Sequence, residues 1–181
     1  MLSEFQVQKM TKLFSFYDFD GNGYLEKNDY LALGERIVAD SNITAGTPEY
    51  NKIMERQLAE WTEIQQFADI DQDGRISIED WLGFMNKANE NPDIYKITVT
   101  DIADSFVESW ASDGNGKIGS NEWQRAFRVF GQSEREGEAA FVKVAGNIDQ
   151  TLSRDDIHEA LDVFFKSEDK SDPRNAMFGT L

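Results

Sequence analysis

The chain has 181 residues, 40% of them apolar and 12% aromatic, which is enough to bury a core and too much for disorder. A formal net charge of −16 leaves no basic stripe for nucleic acid, and the lack of cysteine excludes disulfides, thiolate metal sites and cysteine nucleophiles together. No run approaches the ~18 apolar residues of a membrane span, no basic-then-apolar leader opens the chain, and Leu2 rules out an N-myristoyl signal, so a soluble cytoplasmic monomer without a membrane anchor is expected.

Ser3 and Gln6 have the spacing of a capping box, opening a helix through about Tyr17 with Phe5, Met10, Leu13, Phe14 and Tyr17 on its apolar face. The next stretch, DFDGNGYLEKND at residues 18–29, reads as a twelve-residue metal loop. Asp18, Asp20 and Asn22 take positions 1, 3 and 5, Tyr24 lends a carbonyl at 7, Glu26 stands at 9 and Asp29 closes at 12. A hard divalent cation wants about six to eight oxygens, and alternate residues of a curling loop point inward to supply them. Gly23 at position 6 permits the sharp turn.

Tyr30, Leu31, Leu33, Ile37 and Val38 then mark an exiting helix, followed by a polar connection at 40–46. Thr47 and Pro48 read as N-cap and first helical residue of a long helix to about Ala68, lined by Ile53, Met54, Leu58, Trp61, Ile64 and Phe67. A second metal loop, DIDQDGRISIED, occupies residues 69–80. Asp69, Asp71 and Asp73 sit at 1, 3 and 5, Arg75 lends a carbonyl, Ser77 is at 9 where a water often bridges, and Asp80 closes. Solvated Asp/Gly turns are the bland alternative, but two copies with the glycine, the apolar position 8 and helical flanks argue against it.

The stretch Asn89–Pro92 is the clearest boundary. Residues 1–90 form one pair of units and residues 91–181 another. A helix over about 100–110 leads to a weakened loop at 111–122, which keeps Asp113 and Asn115 at 3 and 5, the Lys117 carbonyl at 7 and Glu122 at 12, but has Ala111 at position 1. A weaker third site is expected there. The fourth loop, 145–156, has Ala145 at position 1 and Gln150 at 6, and is expected to stay empty. Ser153 and Asp156 read as the cap of a last helix ending near Lys166. Position-8 residues should pair the loops, Leu25 with Ile76 and Ile118 with Leu152. The tail, 167–181, turns apolar at its end, and Met177, Phe178 and Leu181 are expected to dock into a cleft. The fold class is therefore all-α, four helix–loop–helix units in two pairs forming one compact globule, with short antiparallel β contacts between paired loops.

With four such units, the opening LSEFQVQKM and the closing NAMFGTL, the chain resembles the sarcoplasmic calcium-binding protein and calexcitin group of the EF-hand superfamily from end to end. The resemblance implies a calcium-binding protein, not an enzyme, with magnesium competing and buffer or sensor roles. The departure is Asp at position 12 of both strong loops, one methylene shorter than Glu, which favours magnesium relative to calcium. A buffer is the first reading. A sensor that exposes a groove to a specific protein partner is the second, against which stand only five methionines. A luciferin-binding or photoprotein-like carrier is the third. Trp61, Trp81, Trp110 and Trp123 would line its cavity, but they fit ordinary core positions, and His158 is the lone histidine.

Overall fold

The computed structural model describes residues 1–111 and 116–181; the third-loop positions Asp113 and Asn115 lie outside the described residues. Among the described residues the regular structure is helical apart from two short ladders. The order is α1 (Glu4–Tyr17), β1 (Tyr24–Leu25), α2 (Lys27–Asp40), α3 (Pro48–Ala68), β2 (Ile76–Ser77), α4 (Ile78–Glu90) and α5 (Pro92–Tyr95). A π turn (Lys96–Thr100), α6 (Asp101–Trp110), β3 (Lys117–Ile118), α7 (Ser120–Val129), α8 (Glu134–Ala145), β4 (Leu152–Ser153), α9 (Arg154–Lys166) and a 3-10 turn (Pro173–Ala176) complete it.

Local chemistry sets these boundaries. Ser3 Oγ accepts from Gln6 N at 3.3 Å while Gln6 Oε1 accepts from Ser3 N at 2.9 Å, the reciprocal box that satisfies two free donors of α1. Thr47 accepts from Tyr50 N with Pro48 at the first helical position of α3, and Ser153 with Asp156 closes the same box on α9. Asn91 accepts from Asp93 N and Ile94 N, so α5 starts directly at Pro92, ahead of the helix expected near residue 100.

The chain divides into two compact units. One comprises Leu13–Phe84 with Val129–Gly131, the other Met1–Lys12, Met85–Arg128 and Gln132–Leu181. In the first, β1 and β2 pair antiparallel with Leu25 opposite Ile76, both fully buried. Around them Tyr17 stacks on Tyr30 at 5.6 Å, Tyr30 meets Trp61 at 5.5 Å and Phe14 meets Trp81 edge-on at 6.1 Å. Only Trp61 of the six apolar residues expected to line α3 is buried; Leu58 and Phe67 are exposed, at 38% and 40%. Periodicity marks a face and cannot say whether a partner element covers it.

In the second unit Ile118 pairs with Leu152 across β3 and β4, and Phe141, Phe164, Ile157 and Val107 are buried. Trp110 and Trp123 belong to this core, Trp123 packing on Phe141 at 5.9 Å. The tail docks through Met177, which is 4% exposed, and Phe178, whose ring meets Phe164 at 4.8 Å. Leu181, expected to dock with them, stands out in solvent at 46%. The anchor is polar. Lys9, fully buried, donates from Nζ to Ser167 O at 2.7 Å, Asn175 Oδ1 at 3.0 Å and Val163 O at 3.2 Å, with the Phe5 ring at 4.8 Å. Burial lowers its pKa to about 8, although Asp172 and Glu168 pull the other way. Asn175 in turn donates to Asp169 O and Asp172 O, which folds the tail back on itself.

Candidate metal centres

Helices α1 and α2 carry the ends of the first loop, and β1 holds its exit. Asp18, Asp20 and Asp29 each place a carboxylate oxygen within 4.8 Å of the others. The backbone is wrapped inward by its own amides: Asn22 N and Gly23 N donate to Asp18 at 3.1 and 3.0 Å, and Asn22 N also donates to Asp20 at 3.0 Å. Gly23 has φ +85 and Gly74, its counterpart, φ +89, the left-handed turn that glycine adopts without cost. Tyr24 N donates to Asn22 Oδ1 at 2.8 Å, and Glu26 accepts from Asn22 Nδ2 at 3.0 Å, so position 9 leans over the loop.

Asp29 is 4% exposed and accepts from Phe19 N at 3.1 Å and Glu26 N at 2.8 Å. Burial raises its pKa; those two N–H groups oppose the rise, while Asp20 and Asp18 add to it. A cation among these oxygens would satisfy that unfavourable charge density.

In the second loop Asp69, Asp71 and Asp73 form the matching group within 4.8 Å. Asp69 Oδ2 accepts from Gly74 N at 3.1 Å and Gln65 Nε2 at 3.2 Å, while its Oδ1 is buried with no hydrogen-bond partner among the described residues. A buried carboxylate oxygen without a hydrogen-bond donor, on a residue grouped with two further carboxylates, is what a hard oxygen-seeking ion fits, so the residues present suit a divalent cation. Asp80 stands apart from the group: its Oδ2 accepts from Ser77 N at 3.1 Å and Ser77 Oγ at 2.7 Å. Position 4 is left-handed in both loops, at Gly21 (φ +69) and at Gln72 (φ +60).

Arg75, of which only a carbonyl ligand is expected, also engages the loop through its side chain. Its Nη2 and Nε donate to Asp73 Oδ2 at 3.0 and 3.3 Å, and its guanidinium lies over the Tyr24 ring at 4.5 Å. The clue in the sequence was a cation two residues after an expected ligand, which the loop pattern passes over because it asks only for a carbonyl there.

Of the third loop, Lys117 lies in β3 opposite Ser153, and Glu122 Oε2 accepts from Gly119 N at 3.0 Å. In the fourth, Ala145 is still the last residue of α8, and Asp156 is taken up by Ser153 N and Oγ at 2.8 and 2.6 Å. His158 Nε2 faces Asp104 Oδ1 at 2.7 Å, outside both clusters.

Comparison with known proteins agrees with this geometry. The family described as EF hand matches residues 66–85, which span the second loop. Sarcoplasmic calcium-binding protein 1 of Astacus leptodactylus is 28% identical over 185 residues, covering 91% of this chain and 90% of the relative. Calexcitin-1 of Caenorhabditis elegans is 23% identical, covering 98% and 87%. With the sarcoplasmic calcium-binding protein alpha chain of Penaeus vannamei the identity is 29%, but the match spans 60% of this chain and only 58% of that protein's length. Among solved structures, an amphioxus sarcoplasmic calcium-binding protein superposes with TM-score 0.68 at 19% identity, covering both chains fully. A coelenterazine-binding protein from Renilla muelleri superposes with TM-score 0.73 at 16% identity, covering 99% of this chain and all of that one.

Fold and loops together define an EF-hand protein. It is related to the sarcoplasmic calcium-binding proteins and calexcitin, and these relatives are calcium-binding proteins, not enzymes.

Proposed function

We propose that the chain is a cytoplasmic calcium-binding protein that acts mainly as a calcium and magnesium buffer. The observation that carries this reading is the pair of loops, 18–29 and 69–80, tied by the Leu25–Ile76 ladder, each with three carboxylates gathered within 4.8 Å. Calcium supplies two charges against carboxylates that otherwise repel, so the ion-loaded fold is the more stable one. Asp18, Asp20, Asn22, the Tyr24 carbonyl, Glu26 and Asp29 hold the first ion; Asp69, Asp71, Asp73, the Arg75 carbonyl, Ser77 and Asp80 hold the second. A weaker third site would draw on the Lys117 carbonyl and Glu122, with Asp113 and Asn115, which lie outside the described residues.

The docked tail supports buffering over sensing: Met177 and Phe178 occupy apolar surface that an opening protein would present to a target. A sensor reading has one observation in its favour. Leu58, Ala59 and Phe67, with Thr62, Glu55, Glu63 and Gln66 around them, line a shallow open recess of about 580 Å³ along α3. Calorimetric titration of metal-depleted protein tests the main reading. Two strong calcium sites are expected, one lost in Asp18→Ala and the other in Asp69→Ala; unchanged stoichiometry in both variants refutes it.

A further inference from the structure

We infer that the two loops load in order, 18–29 before 69–80, because the Arg75 side chain competes for a ligand carboxylate of the second loop. The inference rests on the calcium reading above. The two loops share nearly the same sequence pattern but differ in what holds their carboxylates.

In loop 18–29 the hydrogen bonds found on the ligand carboxylates among the described residues come from neutral donors. Asp18 has Asn22 N and Gly23 N, Asp20 has Asn22 N and Nδ2, and Asp29 has Phe19 N and Glu26 N. The closing residue, Asp29, already lies in the gathered group. Backbone N–H donors of this kind shape the loop and leave further lone pairs facing inward.

Loop 69–80 differs at two of its ligands. Asp73 Oδ2 is gripped by two nitrogens of a full cation, Arg75, at 3.0 and 3.3 Å. Asp80 is outside the gathered group, its Oδ2 held by Ser77 N and Oγ. When Asp73 serves a divalent cation, its Oδ1 already accepts from Arg75 N at 2.9 Å, so the ion either takes Oδ2 from the guanidinium or shares the carboxylate with it, and the positive charge of Arg75 stands beside the entering ion. Both effects lower affinity at this loop and not at its partner. The released guanidinium keeps a resting place on the Tyr24 ring, so it stays near. The Arg75 and Asp73 side chains are 45% and 39% exposed, so the pair is weak and the penalty is a factor of a few, not of thousands. Arg75 is thus a residue that sets the gap between two sites.

The loops carry their own reporters. Gly23 N donates to Asp18 Oδ2 at 3.0 Å and Gly74 N to Asp69 Oδ2 at 3.1 Å, so each amide resonance follows its own loop. The full, metal-depleted chain is titrated with calcium in a chelator buffer and followed by nitrogen-15 NMR. The Gly23 midpoint is expected at lower free calcium than that of Gly74. Arg75→Gln should lower the Gly74 midpoint by about two- to fivefold and the Gly23 midpoint by less. Arg75→Lys, which keeps the charge and loses the two-nitrogen grip, should move Gly74 part of the way. A shared midpoint in the unsubstituted chain, Gly74 moving first, or Arg75→Gln shifting both amides alike would each overturn the inference. If neither amide responds to saturating calcium, the calcium reading itself fails and takes the inference with it, a result distinct from a shared midpoint.

Discussion

Replacing Lys9 by Met tests whether the buried ammonium holds the tail or is merely tolerated. Methionine keeps most of the stem, so the loss is that of the three hydrogen bonds and of the ammonium's contacts with the Phe5 and Phe164 rings at 4.8 and 5.7 Å. One of the three acceptors is not orphaned: Val163 O still receives Ser167 N at 2.9 Å. The other two, Ser167 O and Asn175 Oδ1, lose the Lys9 donor, the first at a part-buried position and the second at a buried one. At about 1–3 kcal/mol for each unsatisfied acceptor, and with relief from burying the charge working the other way, the net cost is about 2–4 kcal/mol. Urea unfolding should show this as a lower midpoint with an unchanged slope, and thermal melting as a fall of roughly 5–15 °C. Buried charges replaced by apolar groups of similar volume are often neutral or stabilising. Equal or greater stability in Lys9→Met would place this lysine in that class and refute the anchoring role.

Burial raises the phenol pKa of Tyr17, Tyr30 and Tyr95, with the hydrogen bond to Asp162 adding to it at Tyr95. The folded chain therefore keeps protons that the unfolded chain releases, so their stabilisation is complete below about pH 10 and is lost as pH rises above it, by up to about 1.4 kcal/mol per pH unit per tyrosine. Lys9 acts with the opposite sign between about 8 and 10.5, so unfolding free energies measured across pH 8–11.5 should fall steeply only above that window, and less steeply in Tyr95→Phe. Gln72→Gly should stabilise the second loop by about 0.5–1 kcal/mol in the same assay, since Gln72 holds a left-handed conformation that Gly21 meets freely in the first. A Cβ on Gly137 would lie 2.9 Å from the Phe127 ring and 3.2 Å from the Gln124 backbone, whereas one on Gly34 meets only the flexible Met54 and Gln57 side chains. Melting should therefore show Gly137→Ala less stable by about 1–3 kcal/mol and Gly34→Ala near neutral, its helix propensity gain offsetting the contact. Asp29→Glu with Asp80→Glu should raise calcium selectivity over magnesium in competitive titration; unchanged selectivity would remove the role assigned to the short closing residue.

What could be read in the sequence was whatever depends on near neighbours. Ser3 with Gln6, Thr47 with Pro48 and Ser153 with Asp156 each fix a helix start through bonds spanning three residues. The ladders Leu25–Ile76 and Ile118–Leu152 were legible because position 8 is defined by the loop that contains it. What escaped depends on partners far away in the chain. Lys9 looks like a solvated helix residue until Val163, Ser167 and Asn175 are brought to it across more than 150 positions. Leu58 and Leu181 look like core because apolar spacing cannot report which faces stay uncovered. Arg75 was passed over for another reason: the loop pattern specifies backbone at position 7 and is silent on the side chain.

The central claim is calcium uptake without opening, and one titration addresses it directly. Metal-depleted protein in millimolar magnesium is titrated with calcium while bound ion and the emission of a hydrophobic-surface dye are recorded together. The buffer reading predicts that at least two calcium ions bind while dye emission stays flat, with Met177 and Phe178 still docked. Dye emission that rises in step with bound calcium would contradict it and make the chain a sensor; no bound calcium at all would contradict the metal reading of both loops.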